Sequence, residues 1–289
     1  MLDLVLSVFF SSLLFVIFKL FSIYKVDTLY AIIINYVVAG TLGLSLYNET
    51  ITIESIPNKP WFLGTIALGV LFILAFNIIA KTSQIVGVSV ASVATKMSLV
   101  IPVIFGILMY NDKLNALKVT GILLALPAVY LASIKPREKE VVTSKEIWLL
   151  PILVFIGAGL IDTSLKFLQE KYVENSELPL FSATIFFVAA IVGIAFIALK
   201  AIKSPLKFNT RNIVGGIALG IPNYFSIYYL LRSLQNNTMN SASIFTINNV
   251  AIVLFSTLLG ILLFKEKISS KNWGGIAFAV ISILLVALF

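Results

Sequence analysis

Among 289 residues there is no cysteine and no histidine, and aspartate and glutamate together number only 13. Without cysteine no disulfide can staple the fold. Without either residue type the usual ligand sets for zinc, haem and iron–sulfur clusters are missing, and so is the usual imidazole general base. No cofactor is expected. Nor is there a G-x-x-x-x-G-K-[ST] run through which a P-loop could draw on ATP. Charge is scarce as well: 12% of residues carry it, against 60% hydrophobic, and the mean hydropathy is +1.05. A soluble domain has about a quarter of its residues charged, so this composition describes a polytopic membrane protein with little room for a separate soluble domain. The net charge of +8 falls in short loops, where it sets topology and meets anionic lipid, not nucleic acid. The opening residues, MLDLVLSVFF, have no basic n-region and no small-residue cleavage site; they read as the first span and not as a signal peptide.

What the chain has in place of charge is apolar runs. A helix needs about 20 residues to cross the hydrocarbon core. The runs predict ten spans, at 3–22, 28–47, 61–83, 88–110, 117–134, 148–168, 179–199, 212–232, 241–264 and 272–289. Short breaks between them imply antiparallel neighbours in one bundle. The most polar break is KPREKEVVTSKE (135–146), and a basic one, KSPLKFNTR (203–211), precedes the eighth span. The expected fold is all-α, with residues 1–134 as one five-helix repeat, 135–147 as a linker and 148–289 as a second repeat.

The repeat shows in the residues. IALGVLFILAFNIIAKTSQ (66–84) lies over IALGIPNYFSIYYLLRSLQ (217–235), with Lys81 on Arg232 and Gln84 on Gln235 at a spacing of 151. Ala91-Ser92 falls on Ala242-Ser243 at the same spacing; after a slip of three, Gly106 falls on Gly260, Asp112-Lys113 on Glu266-Lys267 and Gly121 on Gly275. Lys19 ends the first span as Lys166 marks the sixth. Five spans per half is an odd number, so the halves insert in opposite senses. Inverted repeats of this kind place a substrate site near the midplane, between the halves.

These features resemble the drug/metabolite transporter superfamily, and within it the EamA-like transporters. The resemblance rests on a first span ending in Lys19, a fourth span with Pro102 and Gly106, the acidic turn at Asp112 and a fifth span with Gly121, echoed by Glu266 and Gly275. It covers the whole chain through loose motifs: Ser11-Ser12 replace the Trp-Gly pair often seen in the first span, and Ser256 stands where the second repeat can carry proline. It implies export of amino acids or related metabolites, both termini in the cytoplasm, and residence in the inner cell membrane. Charge implies the other orientation. Lys19, Lys25, Lys81, the 135–145 and 200–211 clusters, Lys265, Lys267 and Lys271 share one face, which the positive-inside rule puts in the cytoplasm, leaving both termini outside. Both orientations stay open, because lysines at helix ends can snorkel.

Lys96 is the sharpest candidate for a functional group. A lysine at a helix centre costs about 2.5–3.5 kcal/mol on the mildest insertion scale. It lies roughly 12 Å into its span, so it is expected to line a cavity and meet an anionic substrate group; the alternative is snorkelling or bonding to helix carbonyls. Asp162 is the one acid deep in a span, either a local ion pair with Lys166 at i,i+4 or the cavity's proton-coupling carboxylate and the partner of Lys96. Asn77, Asn248 and Asn249 lie at mirrored depths, as cavity lining or as interhelical bonds. Tyr224 and Tyr228 share a face beside Pro222 and suit the wall of an organic-ligand site, or else an interfacial belt. Ala91, Ala94, Ser98, Gly216 and Gly220 read as packing faces, and Pro102, Pro127 and Pro222 as bends.

The expected function is secondary transport of a small organic metabolite by alternating access, with the bilayer and the metabolite as partners, no nucleic acid, and a monomer or homodimer as the assembly. The alternatives are an intramembrane enzyme with a Ser92–Lys96 dyad at i,i+4, and a membrane scaffold with no transport activity.

Overall fold

Hydrocarbon offers a backbone no hydrogen-bond partner, so a spanning chain must bond to itself as helices. The protein, a computed structural model, is described over residues 1–46, 53–110, 115–134, 146–202, 209–235 and 241–288. Asp112, Lys113, the 135–145 linker and residues 203–208 of the basic break lie outside the described residues. Among those described, every regular element is helical: α1 (Leu2–Ile23), α2 (Thr28–Ser45), α3 (Phe62–Ile85), α4 (Val88–Met97), α5 (Val100–Tyr110), α6 (Ala116–Ser133), α7 (Glu146–Tyr172), α8 (Leu178–Ala201), α9 (Thr210–Gln235), α10 (Ser241–Phe264) and α11 (Ser270–Leu288). Two short 3₁₀ turns, Ile53–Asn58 and Asn175–Glu177, lie in connections. α4 and α5 form one span together, whereas one helix over 88–110 was expected. α2, α6 and α11, at 18, 18 and 19 residues, are the shortest unbroken spanning helices among the described residues.

Polar residues start these helices where capping requires them. Asp27 accepts from the Leu29 N–H at α2, Asn115 from Lys118 at α6, and Asn209 from Arg211 at α9. Ser269 Oγ accepts from the Asn272 N–H at α11. Asn115 and Ser269 stand 154 residues apart, the slipped spacing of the repeat.

Neighbour pairs show the two inverted five-helix repeats. With α1 matched to α7, α2 to α8, α3 to α9, α4 to α10 and α6 to α11, the larger contacts between halves have their mirrors. α2 packs on α9 and α3 on α8; α1 packs on α9 and α3 on α7; α1 packs on α10 and α4 on α7. α6 packs against its own counterpart α11, as do α2 against α8 and α4 against α10. Within the halves the mirror is looser. α1 packs on α3 within the first half, but among the described residues α7 has no comparable contact with α9.

Small residues let backbones approach. On α9, a Cβ at Gly216 would lie 2.4 Å from Ile34 Cβ, and one at Gly220 would lie 2.9 Å from the Asn35 carbonyl oxygen on α2. This small-xxx-small face is the packing role expected of the pair. Beside it Asn223 Nδ2 donates to Asn35 Oδ1 at 3.1 Å, so two buried amides satisfy each other. The aromatic core lies between α1, α2, α3 and α8, where buried Tyr36 stacks on Phe186 and donates its hydroxyl to the Phe72 carbonyl at 2.8 Å.

Alternation of spans puts Met1 and Leu288 on one side, here the terminal face, and the α1–α2 turn on the other, the far face. On the terminal face Glu177 accepts from the Lys59 ammonium and, at 2.9 Å, from Trp61 Nε1, tying the two repeats. These donors hold the Glu177 carboxyl below its ordinary value of 4.5.

Two outcomes follow. A Cβ at Gly275 would meet the Ala132 amide nitrogen at 2.4 Å, while Gly274 faces open space. Gly275→Ala should therefore destabilise by about 1–3 kcal/mol through overpacking, although alanine gains about 1 kcal/mol in a helix; thermal unfolding in detergent should show Gly274→Ala unharmed. Because the folded Glu177 is the stronger acid, its stabilisation is present above the unfolded value and is lost as pH falls below 4.5 toward the lowered one. Unfolding midpoints followed from pH 6 to 3.5 should drop less steeply in Glu177→Gln.

Candidate functional site

The fourth span is broken by its own sequence. Proline has no N–H, and its ring clashes with the carbonyl four residues back; for Pro102 that residue is Ser98. Accordingly α4 ends at Met97, Ser98 and Leu99 form a turn, and α5 resumes at Val100. Ile101 N–H reaches back only three residues, to the Ser98 carbonyl at 2.9 Å. The expected kink at Pro102 is thus a break one turn earlier. It leaves Lys96 in the last turn of α4, where a cation suits the negative end of the helix dipole. Thr95 and Ser98 turn their hydroxyls onto the carbonyls of Ala91 and Thr95.

Across from the break lies α7. Lys96 is half-buried, Asp162 is exposed on α7, and the two lie close enough for their opposite charges to interact, with Ser98 nearby. A lysine and an aspartate from different repeats therefore lie near one another beside an interrupted helix. Irregular backbone at this depth is tolerated where it is enclosed by protein or lines a watery cavity.

The remaining expected site residues gather elsewhere. Ser7 on α1 donates to the Ser226 carbonyl at 2.9 Å and to Asn248 Oδ1 at 3.1 Å, joining α1, α9 and α10 through buried groups. Tyr224 and Tyr228 stack with ring centroids 6.0 Å apart, Phe225 packs edge-on to Tyr228, and Tyr229 lies parallel to Phe10. Asn249 is half-buried next to Asn248. Asn77 uses its amide on its own helix, donating to the Ile73 carbonyl at 2.7 Å. Among the described residues no hydrogen bond joins the Lys96–Asp162 group to the Ser7–Asn248 group. Ser92 is fully buried and donates to the Ser89 carbonyl at 2.9 Å.

Sequence reasoning missed two features of the far face. The first is the reach of Glu266. Its carboxylate accepts from the Val88 N–H at 2.7 Å and the Ser89 N–H at 3.3 Å, capping α4 from the opposite repeat. Gly87, at φ +142°, and Gly260 leave it room: a Cβ would lie 3.0 Å from Oε1 at the first and 2.6 Å from Oε2 at the second. The acidic turn was legible as a repeated motif, but its partner lies 178 residues away. The second is a reciprocal clasp. Lys19 Nζ donates to the Gln84 carbonyl at 2.7 Å, and Gln84 Nε2 donates back to the Phe18 carbonyl at 3.1 Å and to Thr28 Oγ1 at 3.0 Å. Both residues had been matched to Lys166 and Gln235 in the repeat.

Removing the anion at the start of α4 should cost more than removing a loop charge. Glu266→Gln keeps an acceptor but loses the charge–dipole attraction, about 0.3–1 kcal/mol and up to 2 when partly buried. Thermal unfolding should register that loss, with Glu266→Ala lower still.

Comparison with known proteins agrees with this architecture. The sequence profile of the EamA-like transporter family matches residues 1–134 and 149–288. An uncharacterised protein of Haemophilus influenzae is 28% identical over 260 residues, spanning 88% of this chain and 86% of its own. A crystal structure at 15% identity superposes with a TM-score of 0.57 over 98% of this chain and 96% of the other, a likeness of fold alone. With ten spans arranged as inverted repeats and the profile matching nearly its whole length, the chain belongs to the EamA-like transporter family, a membrane transporter family of the drug/metabolite kind.

Proposed function

We propose that the protein is a secondary exporter in the inner cell membrane, moving a small organic metabolite with an anionic group, such as an amino acid, by alternating access. The carrying observation is the Lys96–Asp162 pair, one charge from each repeat, set beside the broken fourth span. An ionised carboxylate deep in a span and yet exposed is tolerable where water reaches it. Lys96 then meets the substrate's anionic group, and Asp162, released from Lys96 as substrate arrives, takes up the coupling proton. Substrate also contacts Tyr224, Tyr228 and Asn249, with Asn77 and Asn248 holding the helices that form the walls.

We base alternation on one unequal pair of contacts, α1 with α3 against α7 with α9. On the far face α1 and α3 are clasped through Lys19 and Gln84, while α7 and α9 stand apart. On this reading the clasped α1–α3 side is the closed one and the α7–α9 side the one that opens. Rocking one repeat against the other exchanges the two arrangements.

The test uses purified protein in proteoliposomes and in detergent. Metabolites are screened by thermal shift, and hits are followed by counterflow. Lys96→Ala should weaken binding of an anionic substrate by about tenfold or more, 1.4 kcal/mol for each tenfold. Asp162→Asn should leave exchange intact and abolish accumulation driven by a proton gradient. A ligand-induced shift unchanged in Lys96→Ala removes that lysine from the site.

A further inference from the structure

A groove of about 650 Å³ lies along α1 and α9 at the far face, apart from the Lys96–Asp162 group. We propose that it is a binding site for an anionic phospholipid, with the headgroup phosphate between Lys25 and Arg211 and one acyl chain in the trough below. Ile17 and Phe21 of α1 form one wall, Val214 and Ala218 of α9 the other, and Lys25 and Arg211 stand at the rim. Each wall runs seven helical residues down from the rim, Tyr24 to Ile17 and Arg211 to Ala218, roughly 10 Å of apolar depth. That is about two-thirds of the hydrocarbon thickness of one leaflet.

Charge complementarity selects the occupant. Both rim cations are exposed, and among the described residues neither is paired with a carboxylate. The nearest acid in sequence, Asp27, is occupied in capping α2 through the Leu29 N–H. The Asp27 backbone N–H in turn donates to Asn212 Oδ1, fixing the α1–α2 turn against the start of α9 and so holding the two cations on one rim. Tyr24, 63% exposed at the end of α1, is the kind of residue that marks the headgroup level. A zwitterionic headgroup would bring a second cation toward this pair; an anionic one would not.

The backbone adds an independent sign. α1 ends in a Schellman turn, with Val26 N–H bonded to the Phe21 carbonyl at 2.9 Å. Its left-handed position, where glycine is favoured, is taken by Lys25 at φ 54°. A charged side chain is thus kept at the rim where the backbone alone would prefer none.

Thermal unfolding of the full chain in neutral detergent, with native mass spectrometry of bound lipid, tests the site. Phosphatidylglycerol should raise the midpoint by several degrees, while phosphatidylcholine of the same chains and inorganic phosphate should not. Lys25→Gly with Arg211→Gln should lose at least half of that shift; glycine suits the left-handed turn, so a purely structural role for Lys25 predicts no loss. Ala218→Phe fills the trough with both cations intact and should also lose at least half. Equal shifts from phosphatidylcholine or from phosphate, or a phosphatidylglycerol shift retained in both variants, overturn the proposal.

Discussion

In hydrocarbon, an amide or carbonyl without a partner costs several kcal/mol. That cost decides where this chain can depart from helix, and among the described residues it departs deep in the bundle at Ser98 and Leu99. Pro102 denies the Ser98 carbonyl its ordinary donor, and the turn at Ser98 and Leu99 follows. Everything around the break serves to make it tolerable. Ile101 bonds back to Ser98, hydroxyls of Thr95 and Ser98 fold onto local carbonyls, and Glu266 holds the distant N-terminus of the same helix. A half-span so anchored at one end and free at the other presents Lys96 at a helix C-terminus, the position in a membrane where its charge is least costly.

The two repeats supply this arrangement unequally. Glu266, from the second repeat, caps α4 of the first, and Asn272 donates to the Leu131, Ala132 and Ile134 carbonyls at the end of α6. Both ties lie on the far face, with the Lys19–Gln84 clasp beside them. On the terminal face, among the described residues, Glu177 ties to Lys59 and Trp61, and Arg232 lies 3.6 Å from Asp3.

Much of this was legible in the chain. Hydropathy alone placed the spans, since a bilayer imposes one length and one secondary structure. The echo of Asp112 and Gly121 in Glu266 and Gly275 revealed the repeat; Gly121 and Gly275 sit where backbones touch and Glu266 where a helix begins. The depth of Lys96 and Asp162 marked them out for the same reason that buried charge is rare. Asn77, Asn248 and the tyrosines were less legible. An amide's value depends on which neighbour its helix turns toward, and Asn77 turned toward its own backbone while Asn248 turned toward Ser7.

Sequence by itself determined that the chain crosses the membrane about ten times in two oppositely inserted halves, because apolar length and odd span number are local, countable properties. Only the tertiary structure decided which side chains share a site. Ser98 and Lys96 meet Asp162 across 64 residues or more, and Glu266 meets Val88 across 178. Helix rotation and packing set those meetings, and neither is written in any single span.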